Sequence, residues 1–264
     1  MSSVAFVLAL MAAQPAAPEA SLPEGHAFVR GLVGAQKKNE EALNRYTYDL
    51  LDVREELDDK GRVKKRHSRL QEVFYVKGRQ VGRLVSEDDV PLAPEKQAKE
   101  DKKVSAKVKS ILEERTVSEK PGVRLSQILE RYDFRSIARE TIDGRSALVL
   151  DFSARPGKRD LDGDSVLRRL TGRIWVDEEE RQVVRAEFRN TDSVSFGLGI
   201  AKLSRLDAFL EFRKLEDGVW LPRSIRLEYA GRKVFKGFRT RQTATFDRFR
   251  QFEVEADEEL RPEA

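Results

Sequence analysis

Leu170 to Phe188 reads LTGRIWVDEEERQVVRAEF, two short runs of alternating apolar residues on either side of an acidic knot. Ile174 and Val176 alternate with Arg173, Trp175 and Asp177, the period of a strand with two differently employed faces. Val183, Val184 and Ala186 resume the pattern beyond Glu178-Glu179-Glu180, so the stretch predicts two antiparallel strands joined by a charged turn.

The same signature recurs outward in both directions. Tyr46 to Leu57 and Val63 to Val76 flank Asp58-Asp59-Lys60-Gly61 and predict a long hairpin. The apolar phase moves from Tyr46, Tyr48 and Leu50 to Leu51, Val53 and Leu57, which calls for a bulge near Leu50 or burial on both faces. Lys77-Gly78-Arg79 turns into a strand around Val81 to Val85, and Asp143-Gly144 joins Phe134–Thr141 to Ser146–Ala154. Further strands are expected at Leu203–Lys214, Trp220–Tyr229, Lys233–Thr240 and Thr245–Val254, separated by Glu216-Asp217-Gly218 and Ala230-Gly231-Arg232.

Helical spacing is confined to the first half. Phe28, Val29, Leu32, Ala35, Ala42 and Leu43 make one apolar stripe over Pro23 to Arg45, with Lys, Glu and Gln on the far face. A second helix is expected from Glu95 to Arg115, apolar only in its second half. After Pro121-Gly122, a short third helix carries Leu125, Ile128, Leu129 and Tyr132. Helices segregated from a long run of strands predict α+β with one large antiparallel sheet. The expected organisation is a leader and spacer over residues 1–22, one domain over 23–254 and an acidic disordered tail over 255–264.

The chain has 264 residues, enough to bury a core without disulfides or metals. Lys and Arg number 50 against 46 Asp and Glu, so the net charge of +4 is a weak argument for nucleic acid. The apolar run Val4 to Ala13 before a Pro/Ala spacer has the length of a secretory signal core and is too short to span a bilayer. No Lys or Arg precedes it and no strict Ala-x-Ala pair follows. Export to the periplasm as a soluble, unanchored protein is the expectation, and the absence of cysteine excludes disulfides, thiolate catalysis and a lipidated N-terminal Cys.

Chemistry is sparse. Asp160, Asp162 and Asp164 invite a calcium loop, yet Ser165 stands where the sharp-turn Gly belongs and Thr171 where the bidentate Glu belongs. A surface loop with Asp164 capping a helix from Ser165 to Leu170 is the preferred expectation. His26 and His67 are far apart and form no metal-binding or triad spacing. Phe196-Gly197-Leu198-Gly199 lacks the third Gly and the strand-to-helix context of a dinucleotide site. Asp177 to Glu180 is expected to be a solvated turn rather than an acid/base pair. No catalytic residue, metal or cofactor is therefore assigned. Arg232 to Arg250 interleaves Arg with Phe; this suits an amphipathic strand pair better than single-stranded nucleic acid, and a phosphate-bearing headgroup is a less demanding partner for the same charges. Trp175, Phe188, Phe196, Phe209, Phe212, Trp220, Phe235, Phe238, Phe246, Phe249 and Phe252 concentrate the large rings in the sheet, and a sheet with bulky groups on both faces needs cover on both.

The order of a leader, an N-terminal helix, a long hairpin, inserted helices and meandering strands resembles the LolA-like periplasmic lipoprotein-carrier superfamily. Gly172-Arg173-Ile174-Trp175-Val176-Asp177 followed by Arg185 is similar to a strand pair of that family. Asp217-Gly218-Val219-Trp220-Leu221-Pro222 resembles a turn-to-strand segment of related bacterial proteins. The resemblance covers Phe28 to Phe252. It implies an unclosed, strongly curved half β-barrel whose helices cover the concave face, and a non-enzymatic function: carrying or sensing a lipid or lipoprotein acyl chain in an apolar cavity. Trp175, Phe188, Phe209, Phe212 and Trp220 are the expected lining. The alternative is an envelope protein-protein interaction or regulatory module on the same fold, with a protein partner and at most transient membrane contact.

Overall fold

The computed structural model describes residues 21–113, 125–157, 163–197 and 199–251. The leader as far as residue 20, Pro121-Gly122, Asp160 and Asp162, Phe252 and the tail 255–264 lie outside the described residues. The helices are α1 (Gly25–Ala42), α2 (Pro94–Leu112), α3 (Leu125–Leu129) and α4 (Asp164–Leu167). The first half of the sheet comes from β1 (Tyr46–Leu57), β2 (Val63–Val76), β3 (Arg79–Glu87), β4 (Val90–Pro91), β5 (Tyr132–Ile142) and β6 (Arg145–Ala154). The second half comes from β7 (Leu170–Asp177), β8 (Val183–Asn190), β9 (Val194–Phe196), β10 (Ala201–Lys214), β11 (Trp220–Lys233) and β12 (Lys236–Gln251).

These strands form a single antiparallel 12-stranded sheet in the order β4-β3-β2-β1-β12-β11-β10-β8-β7-β6-β5, with β9 beside β10. The sheet is unclosed, as the α+β half-barrel expectation required. Its two halves are joined where β1 meets the last strand: Tyr46 lies opposite Gln251 and Glu56 opposite Thr240. The tight hairpins follow from turn chemistry. Lys77 and Gly78 have φ of 47° and 72°, and Asp143 and Gly144 have 49° and 77°, so both central residues of each two-residue turn are left-handed, as a strand-matching turn demands.

The bulge expected near Leu50 is present, between Thr47 and Asp49 against β12. Three local expectations need correction. The capping residue of α4 is Gly163 at φ 84°, which leaves the Asp164 carboxylate free to bind Arg131 at 2.6 Å; the helix ends at Leu167. Gln36, assigned to the solvent face of α1, is buried. Ala230-Gly231-Arg232 is no turn. Both flanking strands run through, and Gly231 is needed where β10 approaches so closely that a Cβ would overlap the Lys202 carbonyl oxygen. The reversal comes at Val234-Phe235, and the two strands expected around Lys233–Thr240 and from Thr245 onward are one strand, β12, described as far as Gln251.

The principal core lies on the side of the sheet that faces α1. Phe28, Val29 and Leu32 of α1 and Leu129 of α3 pack against Leu148, Leu150, Ile174, Val176 and Ala186. Val166 and Leu167 of α4 close its margin. Burying each of these side chains is worth about 1.5–3 kcal/mol, which is what holds so short a set of helices on so broad a sheet. At the opposite end, α2 runs along β3 where the short β4 leaves its edge unpaired. The Leu84 backbone N–H donates to the Glu100 carboxylate at 3.2 Å, and the Lys77 ammonium to the Leu112 carbonyl at 3.3 Å, so the edge is covered.

Candidate functional site

Register decides which side chains share a face, because paired residues point the same way and neighbours along a strand alternate. Phe152, Gly172, Phe188, Ala208 and Leu227 form one cross-strand row on the helix-facing side. Leu150, Ile174, Ala186, Leu210, Ile225 and Ala244 form the next. The rows begin in the core under α1 and continue past it. Phe188, Leu206, Leu210 and Phe212 are partly buried against that core, and Ile225, Leu227, Ala244, Phe246 and Leu50 carry the apolar strip onto β11, β12 and β1 as half-buried side chains.

The far side is different in kind. Trp175 and Trp220 are buried there with Ala147, Val149 and Val184 in a second, smaller core. The Trp175 indole N–H donates to Glu140 at 2.9 Å. Arginines and rings then alternate across four strands: Arg173 over Trp175 at 5.9 Å, Arg185 over Trp175 at 5.5 Å and over Phe209 at 5.8 Å, and Arg226 over Phe209 at 5.7 Å. Each such contact within about 6 Å is worth roughly 0.5–1 kcal/mol at an exposed site. An open depression of about 1050 Å³ lies across this side, lined by Arg135, Asp151, Arg173, Glu187, Arg226 and Glu228 among others. Its charges are largely internal pairs: Asp151 accepts from Arg135 at 3.4 Å and Arg173 at 3.1 Å, and Glu228 from Arg239 at 2.5 Å.

The five expected lining residues are therefore divided. Phe188 and Phe212 lie on the helix-facing side, Trp175 and Phe209 on the far side, and Trp220 packs with Trp175. Phe212 touches both cores. The residues that extend the apolar strip, Leu50, Ile225 and Leu227, were not singled out from the sequence, although the alternation Ile225, Leu227, Tyr229 carries the signal.

The acidic knot is a junction. Asp177, expected in solvent, is 1% exposed. It accepts from Arg145 at 2.6 and 3.1 Å and from the backbone N–H groups of Glu179 and Glu180 at 3.1 and 2.8 Å. Burial pushes its carboxyl up, but Arg145 and these amides outweigh burial and hold it below the usual carboxylate range. Glu180 accepts from Arg145, Lys214 and the Trp220 indole N–H at 2.7, 2.5 and 2.6 Å, and is held low by them against its own desolvation. Every donor to the pair is structural, so the knot ties the β5–β6 turn, the β7–β8 turn, the end of β10 and the start of β11. From α1, Asn39 adds both backbone bonds of Trp220, its amide donating to the carbonyl and its oxygen accepting from the N–H at 2.8 Å. His67 meets Asp88 at 3.2 Å and His26 meets Arg155 at 3.2 Å. Among the described residues no three His, Cys, Asp or Glu side chains are grouped to hold a metal ion.

No family model matches the chain, and no curated protein sequence does. Solved structures similar to it include a protein named as an outer membrane lipoprotein-sorting domain, from Vibrio parahaemolyticus, with 10% identity and a TM-score of 0.42 over 89% of this chain and 94% of that one. A DUF1329 family protein from Desulfovibrio piger has 13% identity and a TM-score of 0.39 over 87% and 95%. A LolA superfamily protein from Nitrosomonas europaea has 9% identity and a TM-score of 0.37 over 85% and 94%.

Proposed function

We propose that this chain is a non-enzymatic periplasmic binding protein that carries or senses the acyl chain of a lipid or lipoprotein on the helix-facing side of its open sheet. The observation that supports it is the apolar strip. Leu210, Ile225, Leu227, Phe246 and Leu50 continue the core rows beyond the ground held by α1, α3 and α4, and remain half-buried. An acyl chain laid along the strip removes water from both partners at roughly 0.8 kcal/mol per buried methylene, which needs no catalytic group. Phe188 and Phe212 border the strip; Trp175 and Trp220, packed in the second core, support it from behind, and Phe209 lies on that far face under Arg185 and Arg226. Organic extraction and native mass spectrometry of protein purified from membranes test this: co-purifying lipid that is lost in Leu227→Asp supports it, and a reproducibly empty protein indifferent to added acyl chains refutes it.

The interaction-module reading draws on the far side. A depression of about 1050 Å³ floored by charges and by the Arg–aromatic stack is a surface for a protein, not for an acyl chain. Capture of one stoichiometric envelope protein, abolished by Arg226→Glu and insensitive to Leu227→Asp, would decide for that reading.

A further inference from the structure

The β11–β12 hairpin ends in a turn whose residues are the wrong ones for a turn. A two-residue connection between twisted strands is cheapest with Asn-Gly or Gly-X. Here it is Val234-Phe235, and Val234 sits at φ 56°, a left-handed conformation that a β-branched residue rarely adopts. Phe235 is 96% exposed and Val234 50%. The sequence thus holds two large apolar side chains at a solvent-facing tip against both turn chemistry and water.

The tip is not alone. The Val234 N–H donates to the Ile200 carbonyl at 2.7 Å, which fixes the β9–β10 turn beside it. That turn contributes Ile200, 59% exposed, and Phe196, also exposed. Lys233, Lys236 and Arg232 flank the hairpin, and Lys202 pairs with Arg232 across the β10–β11 ladder. Among the described residues none of these four cations has a carboxylate partner, whereas most arginines elsewhere in the sheet are paired. The base is stiff: the Phe238 ring lies over Gly231 and meets Tyr229 edge-on at 6.2 Å. Four apolar side chains at a rigid point, ringed by four unpaired cations, form the pattern of an interfacial anchor, in which rings enter the acyl boundary and Lys and Arg meet headgroup phosphates.

We propose that the paired tips of β11–β12 and β9–β10 dock this protein on an anionic lipid surface. Charge chooses the occupant: a neutral apolar partner leaves Lys202, Arg232, Lys233 and Lys236 unmatched, and a second copy sets them against themselves. The docking site goes beyond the acyl-chain reading and does not rest on it, since the tip and the strip are separate surfaces.

Co-sedimentation of the full, lipid-stripped chain with vesicles of phosphatidylcholine, with and without phosphatidylglycerol, tests the proposal. The double variant Val234→Gly, Phe235→Ser places glycine at the one left-handed position of the turn and a polar residue after it, so it folds at least as well while removing the anchor. Wild type should bind the anionic vesicles, less so as salt is raised. The turn variant should bind roughly tenfold or more weakly for the lost apolar burial. Lys233→Gln, Lys236→Gln should lose on the order of tenfold on anionic vesicles only. The proposal is overturned if wild type ignores the vesicles, if it binds neutral and anionic vesicles alike, if the turn variant binds as well as wild type, or if the tip instead drives a concentration-dependent dimer in sedimentation velocity. A protein that binds vesicles but retains no lipid refutes the acyl-chain reading alone.

Discussion

Replacing Gly172 by Ala probes the sheet where β7 and β8 run closest. A Cβ there would overlap the Glu187 carbonyl oxygen and stand 2.7 Å from the Phe188 Cα, inside the 3.0 Å limit that real Cβ atoms keep. The obstacle is backbone on both counts, so no side chain can swing aside. The strands must part locally, which breaks the ladder between the Thr171–Arg189 and Arg173–Glu187 pairs. Losing two ladder hydrogen bonds costs about 0.5–1.5 kcal/mol each, and a donor or acceptor left unpaired adds about 1–3 kcal/mol. A loss on the order of 3 kcal/mol follows, which for a chain of this size lowers Tm by roughly 6–12 °C. Gly31→Ala is the control: it lies in α1 with no heavy atom within 4 Å of the added Cβ, so it should stabilise by about 0.5–1 kcal/mol. Thermal and urea denaturation followed by circular dichroism measure both. If Gly172→Ala melts with wild type while Gly31→Ala behaves as expected, the close approach of β7 to β8 and the register built on it are wrong.

Three further outcomes are expected. Asp177 and Glu180 have native pKa values below their unfolded ones, so their stabilisation is complete above about pH 5 and is lost as pH falls through the unfolded values near 4 and into the lower native ones; Asp177→Asn should flatten the Tm profile in that window. Asn39→Ala strips both backbone groups of Trp220 of their partner and should cost about 2 kcal/mol by urea denaturation, with hydrogen exchange accelerating first at the start of β11. Leu227→Asp, half-buried at the strip, should abolish acyl-chain retention while lowering stability by only about 1 kcal/mol; loss of folding with it would instead place Leu227 in the core.

Local chemistry was legible wherever a few adjacent residues decide the outcome. The alternation of Tyr46–Leu57 and Val63–Val76 and the Asp143-Gly144 turn appear in the structure as the sequence implies. Gly231 misled because a glycine that admits a neighbouring strand looks like one that makes a turn; only the Lys202 carbonyl tells them apart. The true turn was invisible because Val234-Phe235 contradicts turn chemistry. Asp177 and Glu180 were read as solvated because their partners, Arg145, Lys214 and Trp220, lie some 30 to 40 positions away. The division of the five aromatic residues between two faces likewise depends on pairing between strands, which no single segment encodes. Side-chain type announced a sheet rich in rings; register determined which ring faces what.

The pairing of β1 with β12 has a consequence for how the chain comes to be folded. Tyr46 meets Gln251 and Glu56 meets Thr240, contacts that close a loop of nearly the whole described chain. Loop-closure entropy must be met before such pairs are rewarded, so this seam forms late and makes folding slow. A chain that emerges N-terminus first can build the β1–β2–β3 hairpins and the β5–β8 meander separately, but the two halves stay unjoined until the last strand is available. A seam completed by β12 delays the native state until nearly all of the described chain is available for pairing.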